Sequence, residues 1–256
     1  MTTALVGVDI GGTGIKGGIV DPRTGDLVGE RVRVETPRPA VPDAVLAATA
    51  GVIAELGATA GPVGIGLPSA IVGGRAATAA NIDESWLGED VTARFSEAIG
   101  RPCALINDAD AAGLAEMRFG AGRGVGGVVL LLTLGTGIGS ALFLDGRLVP
   151  NTELGHIKVR GKDGEARASA NARERKGLSY RAWAPILNEY LDAVDALIWP
   201  DLIIIGGGVS KKADRFLPLL SVRPPIVAAT LRNEAGIVGA AMRARELSAV
   251  AAGAGA

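Results

Sequence analysis

Apolar positions along the chain fall into short blocks punctuated by glycines. Within the blocks the spacing switches between strand-like and helix-like. Residues 4–10, ALVGVDI, are a brief apolar run ending in a carboxylate; a Gly-rich turn, IKGGIVD, the polar turn Thr24–Asp26 and LVGERVRVE follow. Alternation around polar turns predicts strand, turn, strand, turn, strand. After the loop Thr36–Pro42, Val45, Leu46, Val52, Ile53 and Leu56 share one helix face, with Asp43 as the predicted cap and Gly57 as the stop. A strand and loop (GPVGIGLPSAIV), a helix (EDVTARFSEAIG), a buried strand (CALIN) and a helix (DADAAGLAEMRFG) complete the first half.

The second half opens in the same order: strand GGVVLLLTL, turn GTGIG, strand SALFL, turn DG, strand RLVP. GTGIKGGIVDPRTGDLV and GTGIGSALFLDGRLV align, with the second turn shorter by two residues. A repeat of this size predicts duplicated α/β domains. A polar, basic stretch (158–181) follows, then a helix around 180–198, the strand DLIII, the turn Gly206–Gly208, a helix from Ser210 and a last helix from about Glu234. The tail AVAAGAGA is expected to fray.

Composition narrows the function classes. The 256 residues admit one large domain or two small ones, and 48% hydrophobic content supports a sizeable core. A net charge of −1 supplies no global field toward nucleic acid or membrane, and 4% aromatics argue against a base-stacking surface. Cys103 and His156 are the only residues of their kinds, so neither a disulfide framework nor a Cys/His zinc cluster is available. Gly124–Leu144 carries no charge and is long enough to span a bilayer, but Gly135, Gly137 and Gly139 break its centre; two buried strands around a turn fit better. The first ten residues show no basic segment or cleavage site, so a soluble, cytoplasmic protein is expected.

Gly12-Thr-Gly14-Ile-Lys-Gly17 matches G-x-G-x-x-G, yet a dinucleotide site needs a helix directly after the glycines, and here a hairpin follows. A Walker A loop fails too, because Lys16 lies between Ile15 and Gly17. A plain β-turn, with glycine supplying positive φ, is one reading. The other is a phosphate grip. Glycines leave backbone N–H groups unshielded, Thr13 and Thr136 add hydroxyls, Lys16 adds charge, and Asp9 could hold Mg²⁺ directly or through water. At the strand-to-helix junction Asn107-Asp108, Asp108 is either a helix cap, with Asp110 as a first-turn acid, or a catalytic base. Glu153 and His156 form E-x-x-H, which is not the zinc-protease motif; His156 alone reads as a satisfied polar residue.

The segments DIGGTGIKGGIVD, LINDADAAGLAE, LLTLGTGIGSA, PNTELGH, IWPDLIIIGGGVS and AGIVGAAM resemble, in order over roughly residues 5–245, the ROK sugar kinases. NDADAAGLAE, PNTELGH and IWPDL are most similar to the subgroup of polyphosphate glucokinases and polyphosphate/ATP glucomannokinases. The resemblance implies an α/β, actin-like ATPase (ribonuclease H-like) duplicated fold with two domains flanking a cleft. The small domain would be 1–106 plus 234–256, the large one 107–233. It implies phosphoryl transfer from polyphosphate, with ATP left open as a second donor, to the 6-hydroxyl of glucose or mannose, with Mg²⁺ and in a homodimer. Asp108 becomes the base, and Asn81, Asn107, Asp108, Glu153, His156 and Glu165 the sugar ligands. Gly11, Gly12, Thr13, Gly14 and Lys16 become donor ligands, together with Thr133, Gly135, Thr136, Gly137 and the turn Gly206, Gly207, Gly208.

Two departures matter. Where many members carry a Cys-rich zinc motif, residues 159–183 hold no cysteine, so a structural zinc is excluded by ligand count. Ser69 stands where many relatives have glycine. Within 158–181, eight cations face three acids, an excess of five. Charge runs are usually solvated faces; the functional reading is a polyphosphate track through Lys158, Lys162, Arg167, Arg173, Arg175 and Lys176. An ATP-dependent glucokinase or mannokinase is the nearest alternative. A repressor of the same family would need an N-terminal helix-turn-helix, for which the residues before Ala4 leave no room, and a sugar-binding non-enzyme would have lost Asp108.

Overall fold

The computed structural model describes residues 4–58, 60–79 and 82–253. In chain order these form β1 (Leu5–Gly11), β2 (Gly14–Val20), β3 (Val32–Val34), α1 (Pro42–Glu55), β4 (Val63–Leu67), β5 (Ile71–Val72), β6 (Arg75–Ala76), α2 (Val91–Ile99), β7 (Cys103–Asn107) and α3 (Asp108–Phe119). Then come β8 (Val128–Leu134), β9 (Ile138–Leu144), β10 (Arg147–Val149), β11 (Lys158–Val159), β12 (Lys162–Asp163), α4 (Gly164–Ala168), α5 (Ala170–Arg175) and α6 (Tyr180–Ile198). The chain closes with β13 (Leu202–Gly206), β14 (Ile226–Ala228) and α7 (Ala235–Gly253). Two compact units result, Met1–Ala115 with Glu234–Ala256, and Glu116–Asn233.

The first unit is built on a sheet of order β3-β2-β1-β4-β7, antiparallel from β3 to β1 and parallel from β1 to β7. The second unit repeats this as β10-β9-β8-β13-β14, with the same directions. The repeated hairpin sequence thus builds a repeated sheet. β4, β7 and β13 are buried at every position, as parallel strands covered on both faces must be. Trp86 stacks on Phe95 in the first core and donates to the Ala40 carbonyl at 2.8 Å. Trp183, Phe216 and Tyr190 fill the second, where Trp183 donates to the Ala168 carbonyl at 3.1 Å.

α7 lies on the first sheet at backbone contact. A Cβ on Gly7 would come within 2.0 Å of the Ile237 carbonyl oxygen, one on Gly64 within 1.7 Å of that of Ala240, and one on Gly239 within 1.6 Å of that of Ala111. Any side chain at these positions would lift the helix off. The same contact explains why the first turns of α3 stay with the first unit. The division falls after Ala115, beyond the 106/107 border expected from the sequence. From Glu116 onward the chain is tied instead to Thr230 and Leu231.

Several local expectations change. Asp43 does not cap α1: the cap position is Val41, and Pro42 opens the helix, leaving Asp43 in the first turn, paired with Arg94. The third strand shrinks to Val32–Val34, with Leu27 making only an isolated bridge to Val20. The helix expected from Ser210 is a 3-10 segment, Gly208–Arg215, kinked at Lys212. α7 remains helical to Gly253, as its alanine-rich end favours, and the rest of the tail expected to fray lies outside the described residues.

Candidate active site

Both repeated hairpins end in glycine loops, but the loops differ. β1 and β2 pair through Gly11↔Gly14, leaving Gly12-Thr13 as a two-residue loop; β8 and β9 pair through Leu134↔Ile138, leaving Gly135–Gly137. None of Gly12, Gly14, Gly135 and Gly137 has positive φ, so the plain-turn explanation fails. A Cβ at Gly12 or Gly135 would meet nothing within 4 Å. Neither torsion nor internal crowding demands glycine there; what the missing side chains leave is open space beside backbone N–H groups, the condition for close approach of an anion. Thr36 Oγ1 braces the first loop by donating to the Gly11 carbonyl at 2.5 Å, and the Asn171 N–H braces the second at Gly135.

Within the second unit the third glycine turn lies beside the second hairpin. Gly206 pairs with Thr133, and Gly207, at φ +78°, leaves no room for a side chain: its Cβ would sit 2.6 Å from the Leu134 carbonyl oxygen. Gly207 is thus needed by the fold, whereas Gly208 borders open space.

Asp9 and Lys16 are cross-strand partners, joined by a 3.1 Å ion pair. A Cβ at Gly236, at the start of α7, would lie 2.7 Å from the Asp9 carboxyl carbon. Among the described residues no group of three or more His, Cys, Asp and Glu side chains could enclose a metal. A single carboxylate suffices for a hydrated divalent cation that keeps most of its waters.

The strand-to-helix junction reverses one assignment. Asn107, not Asp108, caps α3: its Oδ1 accepts the Ala109 and Asp110 N–H groups at 2.9 and 3.1 Å. Its Nδ2 donates to the Ser69 carbonyl at 3.2 Å. Only one amide hydrogen of Asn107 is left for a sugar. Ser69, 1% exposed, receives a role that the sequence left open: its Oγ donates to the Thr78 carbonyl at 2.7 Å, and its carbonyl anchors the cap. Asp108 begins α3 and accepts the Ala109 N–H at 2.8 Å. Asn81 lies outside the described residues.

In the second unit the chain gathers Glu153, His156 and Glu165. His156 Nε2 lies 3.7 Å from Glu153, and its Nδ1 lies 3.5 Å from Asp163, a partner that the sequence reading counted only among the acids of the basic stretch. Burial pushes the Glu153 carboxyl above its usual range, with His156 opposing the shift and Glu165 adding to it. Asp163 is held low, chiefly by Lys158. Glu165 accepts the Ile138 N–H at 3.1 Å, tying this group to the first residue after the second glycine loop.

The basic stretch is less bare than its sequence implies. Lys158 pairs with Asp163, Arg160 and Arg167 share Glu189 of α6, and Arg173 meets Glu174 and the ring of Tyr180. Lys162, Arg175 and Lys176 are exposed, with no carboxylate partner among the described residues.

The ROK family sequence pattern matches residues 5–173. The polyphosphate glucokinase of Mycobacterium tuberculosis is 50% identical over 237 residues, covering 92% of this chain and 89% of that protein. The crystal structure of an inorganic polyphosphate/ATP-glucomannokinase from Arthrobacter sp. strain KM superposes with a TM-score of 0.93 at 55% identity, covering 96% of this chain and 99% of that one. A ROK family glucokinase from Streptomyces griseus, in complex with glucose and AMPPNP, gives 0.81 at 28% identity, covering 95% of this chain and 100% of that one. The two repeated sheets are those of the actin-like ATPase fold.

Proposed function

The chain belongs to the ROK family, and from that premise we propose that it transfers the terminal phosphoryl group of inorganic polyphosphate to the 6-hydroxyl of glucose, with Asp108 as general base. Polyphosphate-dependent phosphorylation of glucose is the activity of the chain; the assignment of residues to it is our reading. The observation that carries the assignment of Asp108 is its place, on the first residue of a helix whose start is fixed by the doubly accepting Asn107.

Phosphoryl transfer asks for positioning and charge stabilisation more than covalent chemistry. Asp108 takes the proton of the 6-hydroxyl as that oxygen bonds to the terminal phosphorus. The bond from that phosphorus to the bridging oxygen breaks, and polyphosphate leaves one unit shorter. Glu153, His156 and Glu165, with the remaining amide hydrogen of Asn107, hold the other sugar hydroxyls; a sugar both donates and accepts, so carboxylate, imidazole and amide suit it. The loops Gly11–Gly14 and Gly135–Gly137, with Thr13, Thr133, Thr136 and Lys16, hold the donor phosphates. A divalent cation, which we take as Mg²⁺, would neutralise phosphate charge, and Asp9 would hold it through water.

ATP as a second donor is proposed for the turn Gly206–Gly208, and the Arthrobacter relative is named for both donors. Lys158, Arg167 and Arg173 are paired within the chain, so the polyphosphate track falls to the exposed Lys162, Arg175 and Lys176. No helix among the described residues is long and apolar enough to cross a membrane; we place the protein in the cytoplasm, as a homodimer. The deciding experiment measures glucose 6-phosphate with polyphosphate or ATP as sole donor, repeated on mannose. Asp108→Asn should lower turnover by about 10²–10⁴-fold with glucose binding retained. A variant as fast as wild type removes Asp108 from the chemistry, and equal salt slopes of KM for the two donors remove the polyphosphate track.

A further inference from the structure

The first hairpin carries a cation that no motif marks. The register β1–β2–β3 opposes Asp9 to Lys16 and Lys16 to Arg33, so the three side chains share one face in a row across the strands. One carboxylate in that row serves two cations, and Lys16 takes it. Among the described residues no carboxylate lies within ion-pair reach of Arg33. Arg33 thus stands exposed beside the Lys16–Asp9 pair, a cation opposed to a cation without a carboxylate of its own in that row.

Arg33 is aimed at the glycine loop. Its Nε and Nη2 lie 3.0 Å from where a Cβ of Gly14 would be, so Gly14 is the residue that makes room for the guanidinium. Its one hydrogen bond among the described residues, Nη2 to the Thr13 carbonyl, spans 3.4 Å, too long to be the purpose of a five-donor fork. The second hairpin has no counterpart: Gly139 replaces Lys16, and β10 pairs only with Leu142–Leu144, which leaves no third strand beside Gly139. The duplicated loops are alike in backbone and unlike in charge.

We infer that Arg33 is a donor-binding residue, whose guanidinium takes a phosphate of the donor next to the one held by the Gly11–Gly14 loop and Lys16. The inference rests on reading that loop as the phosphoryl-donor site. Arg33 matches adjacent phosphate oxygens with parallel N–H groups, a geometry Lys16 lacks. It acts on donor affinity and leaves the sugar untouched.

The test uses the full chain with Arg33→Gln and Arg33→Lys, polyphosphate of defined length as sole donor, and KM measured over a series of salt concentrations. Arg33→Gln should raise the donor KM about ten-fold or more, the scale of a lost charge-assisted hydrogen bond. It should also flatten the log–log salt slope by about 0.7–0.9, the share of one phosphate contact. Arg33→Lys should restore the slope but only part of the affinity, and glucose binding without donor should match wild type in both. Unchanged KM and slope overturn the inference. So does a fall in kcat with slope and KM intact, which is what a brace for the Thr13 loop would produce. If wild type makes no product from polyphosphate or ATP, the donor-site reading itself has failed, and Arg33 with it.

Discussion

Removing the Asn107 side chain separates two roles that the sequence merges. The residue reads as a sugar ligand, yet all but one hydrogen of its amide is already committed: two helix N–H groups bond to Oδ1, and Nδ2 holds the Ser69 carbonyl. Asn107→Ala should therefore cost mainly stability. Loss of an N-cap costs about 0.5–2 kcal/mol. Leaving the Ser69 carbonyl buried without its donor adds about 1–3 kcal/mol. Together they predict a loss of about 1.5–5 kcal/mol, read by urea denaturation of the full chain. Asn107→Ser keeps a cap acceptor and should recover about 1 kcal/mol of it. Asn107→Asp keeps the acceptor but loses the Ser69 bond and sets a second carboxylate beside Asp108. In kinetics, Asn107→Ala should lower kcat more than it raises the glucose KM, because the helix start that places Asp108 loosens. An alanine variant within about 0.5 kcal/mol of wild type, the range of an inconsequential surface change, would refute the capping argument. A serine variant as unstable as alanine would refute it equally.

Other outcomes follow from particular contacts. Glu116 is fully buried and accepts N–H or O–H groups of Ala121, Thr230 and Leu231; Glu116→Gln turns an NH₂ toward those donors and should cost about 2–4 kcal/mol in chemical denaturation. Gly207→Ala forces a side chain into φ +78° and against Leu134, so the melting temperature should fall and the donor KM rise while glucose affinity holds. Burial raises the Glu153 pKa, so the folded state holds that proton more tightly than the unfolded chain does. The contribution of this group is complete below the ordinary glutamate value and lost as pH climbs through the raised one. Glu153→Gln should then gain on wild type in melting temperature as pH rises from about 4 to 7, and parallel curves would contradict it.

Much of the architecture is legible because its signals are local. Period-two alternation around Gly12–Gly14 and Gly135–Gly137 predicts both hairpins, and the wholly apolar CALIN and DLIII become the buried strands β7 and β13. Duplication shows as a repeat because each hairpin is contiguous in the chain. At helix starts the error is a displacement of one or two residues, Asp43 for Val41 at α1 and Asp108 for Asn107 at α3; the shortened β3 and the 3-10 segment Gly208–Arg215 are larger departures. Asn and Asp are near-equal caps by residue type, so the local signal cannot choose between neighbours.

What chain order alone determines here is the set of short-range elements and the residue types that phosphate and sugar chemistry need. Tertiary structure decided everything that depends on who meets whom. Gly7, Gly64 and Gly239 are unremarked letters until α7 lies on the first sheet and Ala111 lies on α7. Ser69 gains its purpose only from Asn107, which follows it by 38 positions. Glu189, on a helix outside the basic stretch, cancels Arg160 and Arg167, so a charge count along the chain overstates the cations on offer. Arg33 stays an exposed strand residue until strand register sets it beside Lys16 and Gly14. Periodicity is carried by neighbouring backbone torsions, whereas ion pairing and close packing are set by distances in space that no single segment encodes.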